Sequence, residues 1–229
     1  LKRRNINGTV SIHPKVPYYL VSYGYSKEPL VSIIIPTRDY ADITENCLKS
    51  IFEKTTYQNF EVIIMNNNSE KKETFELFNK YKQKYSNFRV IDANYEFNYS
   101  KINKQGVREA KGEYLVLLNN DTEIITPNWL EIMVGYAMQP HIGAVGAKLL
   151  YPDNTVQHAG IILGIGGIAQ HCFIENPRED VGFYGRLSVP FNYSAVTAAC
   201  LMISKEKYNE VNGLEETLQV AFNDVDFNL

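Results

Sequence analysis

The chain has 229 residues, of which 45% are hydrophobic and 21% are charged, and its formal net charge is −3 at neutral pH. These proportions exclude a disordered chain and are sufficient for one large domain with a sizeable core. The slightly negative charge excludes the broad basic surface that nucleic-acid binding requires, and the lysines between residues 71 and 84 are interpreted as one solvated helix face. Nucleic acid is therefore not an expected partner.

The cysteines Cys47, Cys172 and Cys200 are far apart and have apolar neighbours. This pattern is typical of reduced core thiols rather than of a disulfide framework or a metal site, and it makes a cytoplasmic location the default expectation. The longest apolar runs are interrupted by glycine and are too short for a bilayer, and no signal peptide is visible. No transmembrane segment is expected, whereas peripheral contact with the inner face of the cell membrane is left open.

The sequence begins without methionine and stops inside a predicted helix. We therefore interpret it as part of a longer protein whose carboxyl end is incomplete. Residues 1–28 are expected to form an extended lead-in, and residues 29–229 to form a single domain.

From residue 29 onward, apolar runs alternate with amphipathic stretches. The pattern predicts strand 31–35, helix 42–54, strand 60–65, helix 70–85, strand 88–91, helix 99–110 and strand 113–118. Such alternation predicts an α/β fold with a mostly parallel central sheet flanked by helices on both faces. A helix over 128–138 follows Pro127 and stops before Pro140.

The second half is glycine-rich and has a different pattern. Short strands are predicted around 143–149, 156–163 and 194–203, followed by a helix over 205–211 and a last helix that begins near Phe222.

The end of the strand 113–118 is the most informative feature, because an apolar run stops abruptly in Asn119, Asn120, Asp121, Thr122 and Glu123. The carboxyl ends of buried parallel strands face the crevice where ligands bind. An acidic side chain with amide neighbours suits a hard divalent cation that carries a diphosphate. A turn followed by a helix cap explains the same residues without a ligand.

Two further segments change from apolar to polar in the same way, residues 31–39 (VSIIIPTRD) and 221–227 (AFNDVDF). Together with residues 119–123 they resemble the family 2 glycosyltransferases in order and spacing, from about Pro29 to the last residue. The resemblance implies a GT-A fold, in which a Rossmann-like nucleotide half is merged with an acceptor half. It also implies an inverting, metal-dependent transfer of a sugar from a nucleotide diphosphate sugar, of the hexosyltransferase type.

The resemblance implies that the loop after the first strand wraps the donor nucleoside, which makes Pro36, Thr37 and Asp39 donor contacts. Asp39 is also suited to cap the next helix. Asn66 is a further donor contact and stands where the family usually has an aspartate that accepts the imide N–H of uracil or thymine. An asparagine carbonyl is able to accept the same proton, but its amide is also able to donate to a base carbonyl, so the base preference is left open. By resemblance, a UDP- or dTDP-sugar is the expected donor.

Other amides complete the predicted donor site. Asn98 and Asn103 belong to a segment that approaches the donor in similar enzymes, although Asn98 is also suited to cap the following helix. Asn119 and Asn120 contribute from the end of the strand 113–118. Residues 67–69 are interpreted as formers of the loop.

Asp121 matches the last acid of the family's metal–diphosphate motif and is the predicted ligand of Mg²⁺ or Mn²⁺. Asn119 replaces an acid that many relatives have, which lowers the negative charge around the cation. The cation stabilises the charge that develops on the nucleoside diphosphate as it leaves. Glu123 either assists Asp121 in binding the cation or interacts favourably with the dipole of the next helix.

Inversion requires a base that deprotonates the acceptor hydroxyl on the opposite face of the sugar. Asp224 matches this base by resemblance, whereas Asn223 stands where a glutamate is common and Asp226 is interpreted as structural. The alternative for Asp224 is a capping role at the start of the last helix. Relatives supply a further metal-binding histidine downstream, beyond the end of this chain.

Residues 156–161 (VQHAGI), the glycines of 164–167 and His171 resemble a subgroup associated with bacterial surface polysaccharides such as O-antigen and rhamnan. The expected acceptor is a glycan or a lipid-linked saccharide. His171 and Asn192 are the predicted acceptor-side contacts, although a histidine among apolar residues is often a satisfied core side chain. The glycines lack the spacing and position of a dinucleotide fingerprint.

Two other functions are left open. A sugar-nucleotide pyrophosphorylase shares the sheet and the metal–phosphate chemistry, but it needs a glycine-rich triphosphate loop where Pro36 to Asp39 stand. A nonenzymatic nucleotide- or glycan-binding domain is consistent with the asparagines at positions 66, 119 and 223, where acids are usual.

Overall fold

A six-stranded sheet forms the centre of the computed structural model, which describes residues 1, 3 and 5–229. The strands are β1 (Gly8–Ile12), β2 (Tyr19–Tyr23), β3 (Val31–Thr37), β4 (Phe60–Asn66), β5 (Phe88–Asp92), β6 (Tyr114–Leu118), β7 (Ala144–Gly146), β8 (Leu149–Leu150), β9 (Val156–His158), β10 (Ile161–Leu163), β11 (Ala169–His171) and β12 (Cys200–Ser204). The helices are α1 (Ala41–Lys54), α2 (Lys72–Lys84), α3 (Tyr99–Glu109), α4 (Trp129–Ala137), α5 (Lys205–Glu210) and α6 (Asn223–Asn228).

The strand order of the central sheet is β5-β4-β3-β6-β12-β7. Strands β3, β4, β5 and β6 are parallel, and β12 runs antiparallel to both β6 and β7. The predicted α/β fold with a mostly parallel sheet is therefore confirmed. The chain builds β4 and β5 on one side of β3 and then crosses to β6 on the other side, so the carboxyl ends of β3 and β6 form a crevice of the kind that binds ligands in open α/β sheets.

The β-branched run of β3 explains why this strand is central. Ile33 and Ile35 pack into the core cluster beneath α1, whereas Ile34 points to the opposite face and packs with residues of α3. A strand that is buried on both faces reads as a continuous apolar run, because both of its side-chain rows face a core. Gly106 of α3 allows the helix to lie directly on Ile34.

The amino-terminal segment is more ordered than an extended lead-in. Strands β1 and β2 form an antiparallel hairpin, and the Tyr136 hydroxyl of α4 donates a hydrogen bond to the Val21 carbonyl at 2.9 Å. The rings of Tyr23 and Tyr136 meet edge to face, with centroids 5.0 Å apart. Residues 2 and 4 of the predicted lead-in lie outside the described residues.

The glycine-rich half forms two small antiparallel hairpins, β8 with β9 and β10 with β11. The strand predicted over 156–163 is divided at Gly160, whose φ is +114°. The strand predicted over 194–203 begins only at Cys200, because the residues before it turn along the ligand edge of the sheet. Among the described residues, no helix has the length and apolar character that a membrane crossing requires.

Candidate active site

A cavity of about 320 Å³ opens at the carboxyl ends of β3 and β6. Its lining comes from the loop after β3, the start of α3, the end of β6, the loop before β12 and the start of α6: Pro36, Phe97, Tyr99, Asn119, Asn120, Thr197, Ala198, Ala199, Val220, Asn223 and Asp224. Four residues that the sequence predicted for the site, Pro36, Asn119, Asn120 and Asp224, therefore share one cavity. We call it the donor cavity.

The polar end of β6 is held rigidly by its neighbours. The Asn119 amide N–H donates to the Ala199 carbonyl at 3.0 Å, which continues the pairing with β12 beyond the strand. The Asn120 side-chain nitrogen donates to the Thr44 hydroxyl of α1 at 3.1 Å. Because that contact uses the amide nitrogen, the side-chain oxygen of Asn120 remains available to a ligand.

Tyr99 connects the end of β6 with the loop before β12. Its hydroxyl donates to the Ala198 carbonyl at 3.0 Å and lies 3.5 Å from the side-chain oxygen of Asn119. Burial, followed by the nearby Asp224 carboxylate, raises the pKa of the Tyr99 hydroxyl, so it remains a hydrogen-bond donor at neutral pH. The sequence analysis did not single out Tyr99, because the carbonyl to which it donates lies 99 residues away along the chain.

Asp224 lies in the first turn of α6, half-buried, with its carboxylate in the donor cavity. One carboxylate oxygen accepts the Ala198 N–H at 3.2 Å and the other accepts the N–H of Val225 at 2.9 Å. The residue before the helix is Phe222, at φ 60°, and it provides no side-chain cap. Asp226 is exposed and does not line the cavity.

The loop after β3 is fixed to α2 rather than to α1. The Asp39 carboxylate accepts the N–H groups of Glu70 and Lys71 at 3.0 and 2.9 Å, and the bond from Lys71 is the largest influence on its pKa, which is lowered. Asp39 thus joins the loop after β3 to the two residues that precede α2. Thr37 is buried, and its hydroxyl has no protein partner among the described residues.

The end of β4 is organised by two adjacent asparagines. Asn66 donates to the Asp92 carboxylate at 2.8 Å and accepts the Ser69 N–H at 3.2 Å. An aspartate at position 66 would repel Asp92, so the exchange of the usual acid for an amide has a local electrostatic reason. Asn67 donates to the Ala93 carbonyl at 2.7 Å, and its buried side-chain oxygen has no protein partner in the described structure.

Asn98 is engaged within the fold through both of its side-chain polar atoms, whereas Asn103 is engaged through its nitrogen only and its buried oxygen has no protein partner among the described residues. The Asn98 oxygen accepts the Lys101 N–H at 2.9 Å, which caps α3, and its nitrogen donates to the Glu216 carbonyl at 2.8 Å. Asn103 is fully buried and donates to the Tyr99 carbonyl at 2.9 Å. Neither asparagine lines the donor cavity, and the contacts of Asn98 are those of the capping alternative.

Asp121 is exposed in the turn that follows Asn120. In the described part of the chain, no three His, Cys, Asp or Glu side chains are grouped closely enough to hold a metal ion. Asp121 lines neither the donor cavity nor the cavity that adjoins it, and it offers one carboxylate beside the single side-chain amide oxygen of its chain neighbour Asn120. These oxygens fit a hard cation that takes most of its ligands from a bound diphosphate and from water.

A second cavity of about 320 Å³ adjoins the donor cavity and shares Asn119, Thr197 and Ala199 with it. The rest of its lining comes from the glycine-rich half: Leu149, Tyr151, Gln157, His158, His171 and Ile174. His171 therefore lies beside the donor cavity, whereas Asn192 is exposed and lines neither cavity. His158, which was not predicted as a site residue, is the buried partner of His171.

Two solved structures share this fold. The mannosyltransferase PcManGT from Pyrobaculum calidifontis, in complex with GDP-Man and Mn²⁺, aligns with a TM-score of 0.65 at 17% identity, over 88% of this chain and 51% of that chain. GalNAc-T7 with UDP, GalNAc and Mn²⁺ aligns with a TM-score of 0.67 at 13% identity, over 95% of this chain and 43% of that chain. The fold is therefore of the GT-A glycosyltransferase class.

The model of glycosyl transferase family 2 matches residues 32–211, and the chain belongs to that family. It is 46% identical over 199 residues to the uncharacterized protein y4gI of Sinorhizobium fredii, covering 86% of this chain and 22% of that protein. It is 37% identical over 220 residues to the O-antigen biosynthesis protein RfbC of Myxococcus xanthus, covering 92% of this chain and 16% of that protein. The chain thus spans about a fifth or less of the length of these two relatives.

Proposed function

We propose that the chain transfers a sugar from a nucleoside diphosphate sugar to a glycan or lipid-linked acceptor, with inversion at the anomeric carbon. One observation carries the proposal: the Asp224 carboxylate and the polar end of β6 line the same cavity at the switch point of the sheet. A base and a diphosphate site must be this close for an acceptor hydroxyl to attack the sugar while the diphosphate leaves.

The proposed donor site extends from the donor cavity toward the ends of β3 and β4. Pro36 lines the cavity, and the buried oxygens of Thr37 and Asn67 have no protein partner among the described residues. Buried polar atoms normally have hydrogen-bond partners, so these oxygens suit the polar groups of a nucleoside. The two structural neighbours were solved with GDP-Man and with UDP, which supports a nucleotide ligand of this class.

Mg²⁺ or Mn²⁺ is the proposed cofactor, with Asp121 and the free oxygen of Asn120 as the protein ligands. Mn²⁺ in both neighbouring structures supports a divalent cation. When bound, such a cation neutralises charge on the departing nucleoside diphosphate. The shortage of acids around Asp121 leaves most of the binding to the diphosphate oxygens, so we expect metal and nucleotide to bind together.

Asp224 is the proposed base. Its two backbone hydrogen bonds fix the carboxylate in the cavity, and each oxygen keeps a second lone pair for an incoming hydroxyl. The proton of the acceptor hydroxyl passes to this carboxylate as the oxygen attacks C1 of the sugar. Attack from the face opposite the diphosphate inverts the anomeric centre.

The similarity to an O-antigen biosynthesis protein supports a role in cell-surface polysaccharide synthesis. With a nucleotide-sugar donor, that role corresponds to a cytoplasmic site at the inner face of the membrane. A pyrophosphorylase is less well supported, since the loop after β3 is fixed to α2 through Asp39 and has no glycine-rich sequence.

The proposal is tested first by calorimetric titration of the chain with UDP, dTDP and GDP, each with Mn²⁺ and with EDTA. We expect one nucleotide to bind and to require the metal. Incubation of the corresponding radiolabelled nucleotide sugar with lipid-linked glycans should then produce a labelled glycan of inverted configuration. Metal-dependent nucleotide binding in a chain that transfers nothing to any acceptor would instead favour the nonenzymatic binding function.

A further inference from the structure

Two histidines of the glycine-rich half form a direct contact. The Nδ1 atoms of His158 and His171 lie 3.0 Å apart, with the rings nearly perpendicular at 79°. His158 is 1% exposed, and the N–H of Thr197 points at its Nε2 from 3.5 Å. Burial, together with the neighbouring His171, lowers the pKa of His158 to about 3, so its ring is neutral at physiological pH.

These contacts determine where the protons lie. A neutral imidazole has one donor nitrogen and one acceptor nitrogen. Because Nε2 of His158 faces the Thr197 N–H, its own proton must be on Nδ1, where it is donated to Nδ1 of His171. The neutral form of His171 then carries its proton on Nε2, on the other side of the ring, for which the described structure contains no protein acceptor.

The second cavity has the chemistry of a saccharide pocket. Asn119, Gln157 and Thr197 provide amide and hydroxyl groups, and the partly exposed Tyr151 and Ile174 provide apolar surface. No Asp, Glu, Lys or Arg of the described residues lines it. A carboxylate or phosphate bound there would meet no Lys or Arg side chain of the described residues, which disfavours acidic sugars.

We propose that the second cavity binds an uncharged sugar unit of the acceptor and that the His158–His171 pair presents the Nε2–H of His171 to a hydroxyl of that sugar. His158 is a positioning residue, since it acts only through His171. This inference rests on the proposed glycosyl transfer, because a sugar in this cavity is an acceptor only if the adjoining donor cavity binds a nucleotide sugar.

Nitrogen-15 NMR of the imidazole rings tests the proton positions. The chain has four histidines, and the replacement of each one in turn assigns its signals. We expect His158 with its proton on Nδ1 and neutral His171 with its proton on Nε2. A proton on Nε2 of His158 would overturn the proposed hydrogen bond from Nδ1 of His158 to Nδ1 of His171.

Saturation-transfer NMR tests the ligand class, with UDP, dTDP or GDP and the diamagnetic Mg²⁺ present. The probes are methyl glycosides of glucose, galactose, mannose and rhamnose, and methyl glycosides of glucuronic and galacturonic acid. We expect at least one neutral glycoside to bind, and the acidic ones about tenfold more weakly or not at all. Equal binding of acidic and neutral probes, or no binding of any probe, would overturn the inference.

The His171→Ala variant should weaken binding of the neutral glycoside about three- to tenfold, the loss that one neutral hydrogen bond produces. His171→Gln retains an N–H donor and should restore most of the affinity, which a purely structural role would not predict. His141→Ala is the matched control, because His141 is exposed and lines neither cavity. If the nucleotide still binds with metal but His171→Ala changes nothing, this inference fails alone; if the nucleotide does not bind, the proposed function fails.

Discussion

Asp224 and Asp226 are two residues apart on the same short helix, yet their surroundings differ. The first carboxylate lies in the donor cavity with two backbone N–H bonds, and the second is exposed outside it. This contrast provides a matched pair of variants. The proposed sugar transfer requires Asp224 and does not involve Asp226.

Replacement of Asp224 by Asn should reduce sugar transfer by about a hundred- to ten-thousandfold, the usual contribution of a general base. Nucleotide affinity should stay unchanged, because the amide has nearly the shape of the carboxylate. Initial rates with radiolabelled donor measure the first effect, and calorimetry measures the second. Asp226→Asn should retain wild-type turnover, and normal transfer by the Asp224 variant would exclude this residue as the base.

Replacement of Asp121 by Asn should act on binding rather than only on rate. The charge-assisted contact to the cation is lost, which should weaken nucleotide binding in Mn²⁺ about tenfold or more. In EDTA the variant and the wild type should bind the nucleotide equally. Asp226→Asn, which removes an exposed acid outside the donor cavity, is the control; a loss of equal size in both variants would show a general effect of charge instead of a specific ligand.

At the residue scale, the donor contacts could be predicted only in part from the sequence. The position of Asn66 at the end of β4 follows from the apolar run before it, but its partner Asp92 lies on the next strand, 26 residues away. Tyr99 likewise depends on Ala198, which is 99 residues away. Sequence patterns are local, so they identify the strand end and not the side chain that faces it.

At the scale of secondary-structure elements, α3 depends on a glycine for its position on the sheet. A Cβ atom on Gly106 would lie 2.5 Å from Cγ2 of Ile34 and 3.3 Å from the Met65 side chain. The helix would have to move away from β3, and with it Tyr99 at its first turn. Gly143 has nothing within 4 Å of the same hypothetical atom.

Gly106→Ala should therefore lower the free energy of unfolding by about 1–3 kcal/mol, as overpacked cores do, even though alanine favours a helix by about 1 kcal/mol. Gly143→Ala should change stability by no more than about 0.5 kcal/mol. Urea denaturation followed by circular dichroism measures both. An unchanged midpoint for Gly106→Ala would mean that α3 is not held by this contact.

The elements that the sequence located best are those buried on both faces. The apolar runs of β3, β4 and β6 leave few alternatives, and the predicted strands begin and end within two residues of the observed ones. The hairpin of β1 and β2 was not predicted, because most of its residues are exposed and the apolar Val10 and Ile12 of β1 do not face a core. The strand start at residue 194 was wrong because the small apolar residues before Cys200 line cavities instead of entering the sheet.

At the scale of the whole molecule, the two edges of the central sheet carry different kinds of polar group. The carboxyl edge holds the cavities, with oxygens that have no protein partner among the described residues. The amino edge holds a buried carboxylate, Glu61, which accepts from Ser32 at 2.7 Å, from Arg89 at 2.9 Å and from the Lys111 N–H at 2.7 Å. These bonds connect β3, β4 and β5 with the turn before β6.

Glu61 at the amino edge makes the free energy of unfolding depend on pH, and the direction of this dependence follows from its pKa. Burial alone would raise the pKa of Glu61, but the bonds from the Lys111 N–H, Ser32 and Arg89 outweigh it, and the pKa is lowered from 4.5. A carboxyl group whose pKa is lower in the folded than in the unfolded state stabilises the fold above its unfolded pKa. That stabilisation is lost as the pH falls through the folded pKa.

Glu61→Gln should lower the free energy of unfolding at pH 7 by about 1–3 kcal/mol, because Ser32, Arg89 and the Lys111 N–H lose a charged acceptor at a site that is only 7% exposed. The gap between variant and wild type should narrow below about pH 4.5, where protonated Glu61 increasingly resembles the amide. Urea titrations at several pH values measure the gap, with the exposed Glu113→Gln as control. A gap that stays constant down to pH 3 would show that Glu61 makes its contribution without its charge, and the amino edge would then be held by packing rather than by the ionised carboxylate.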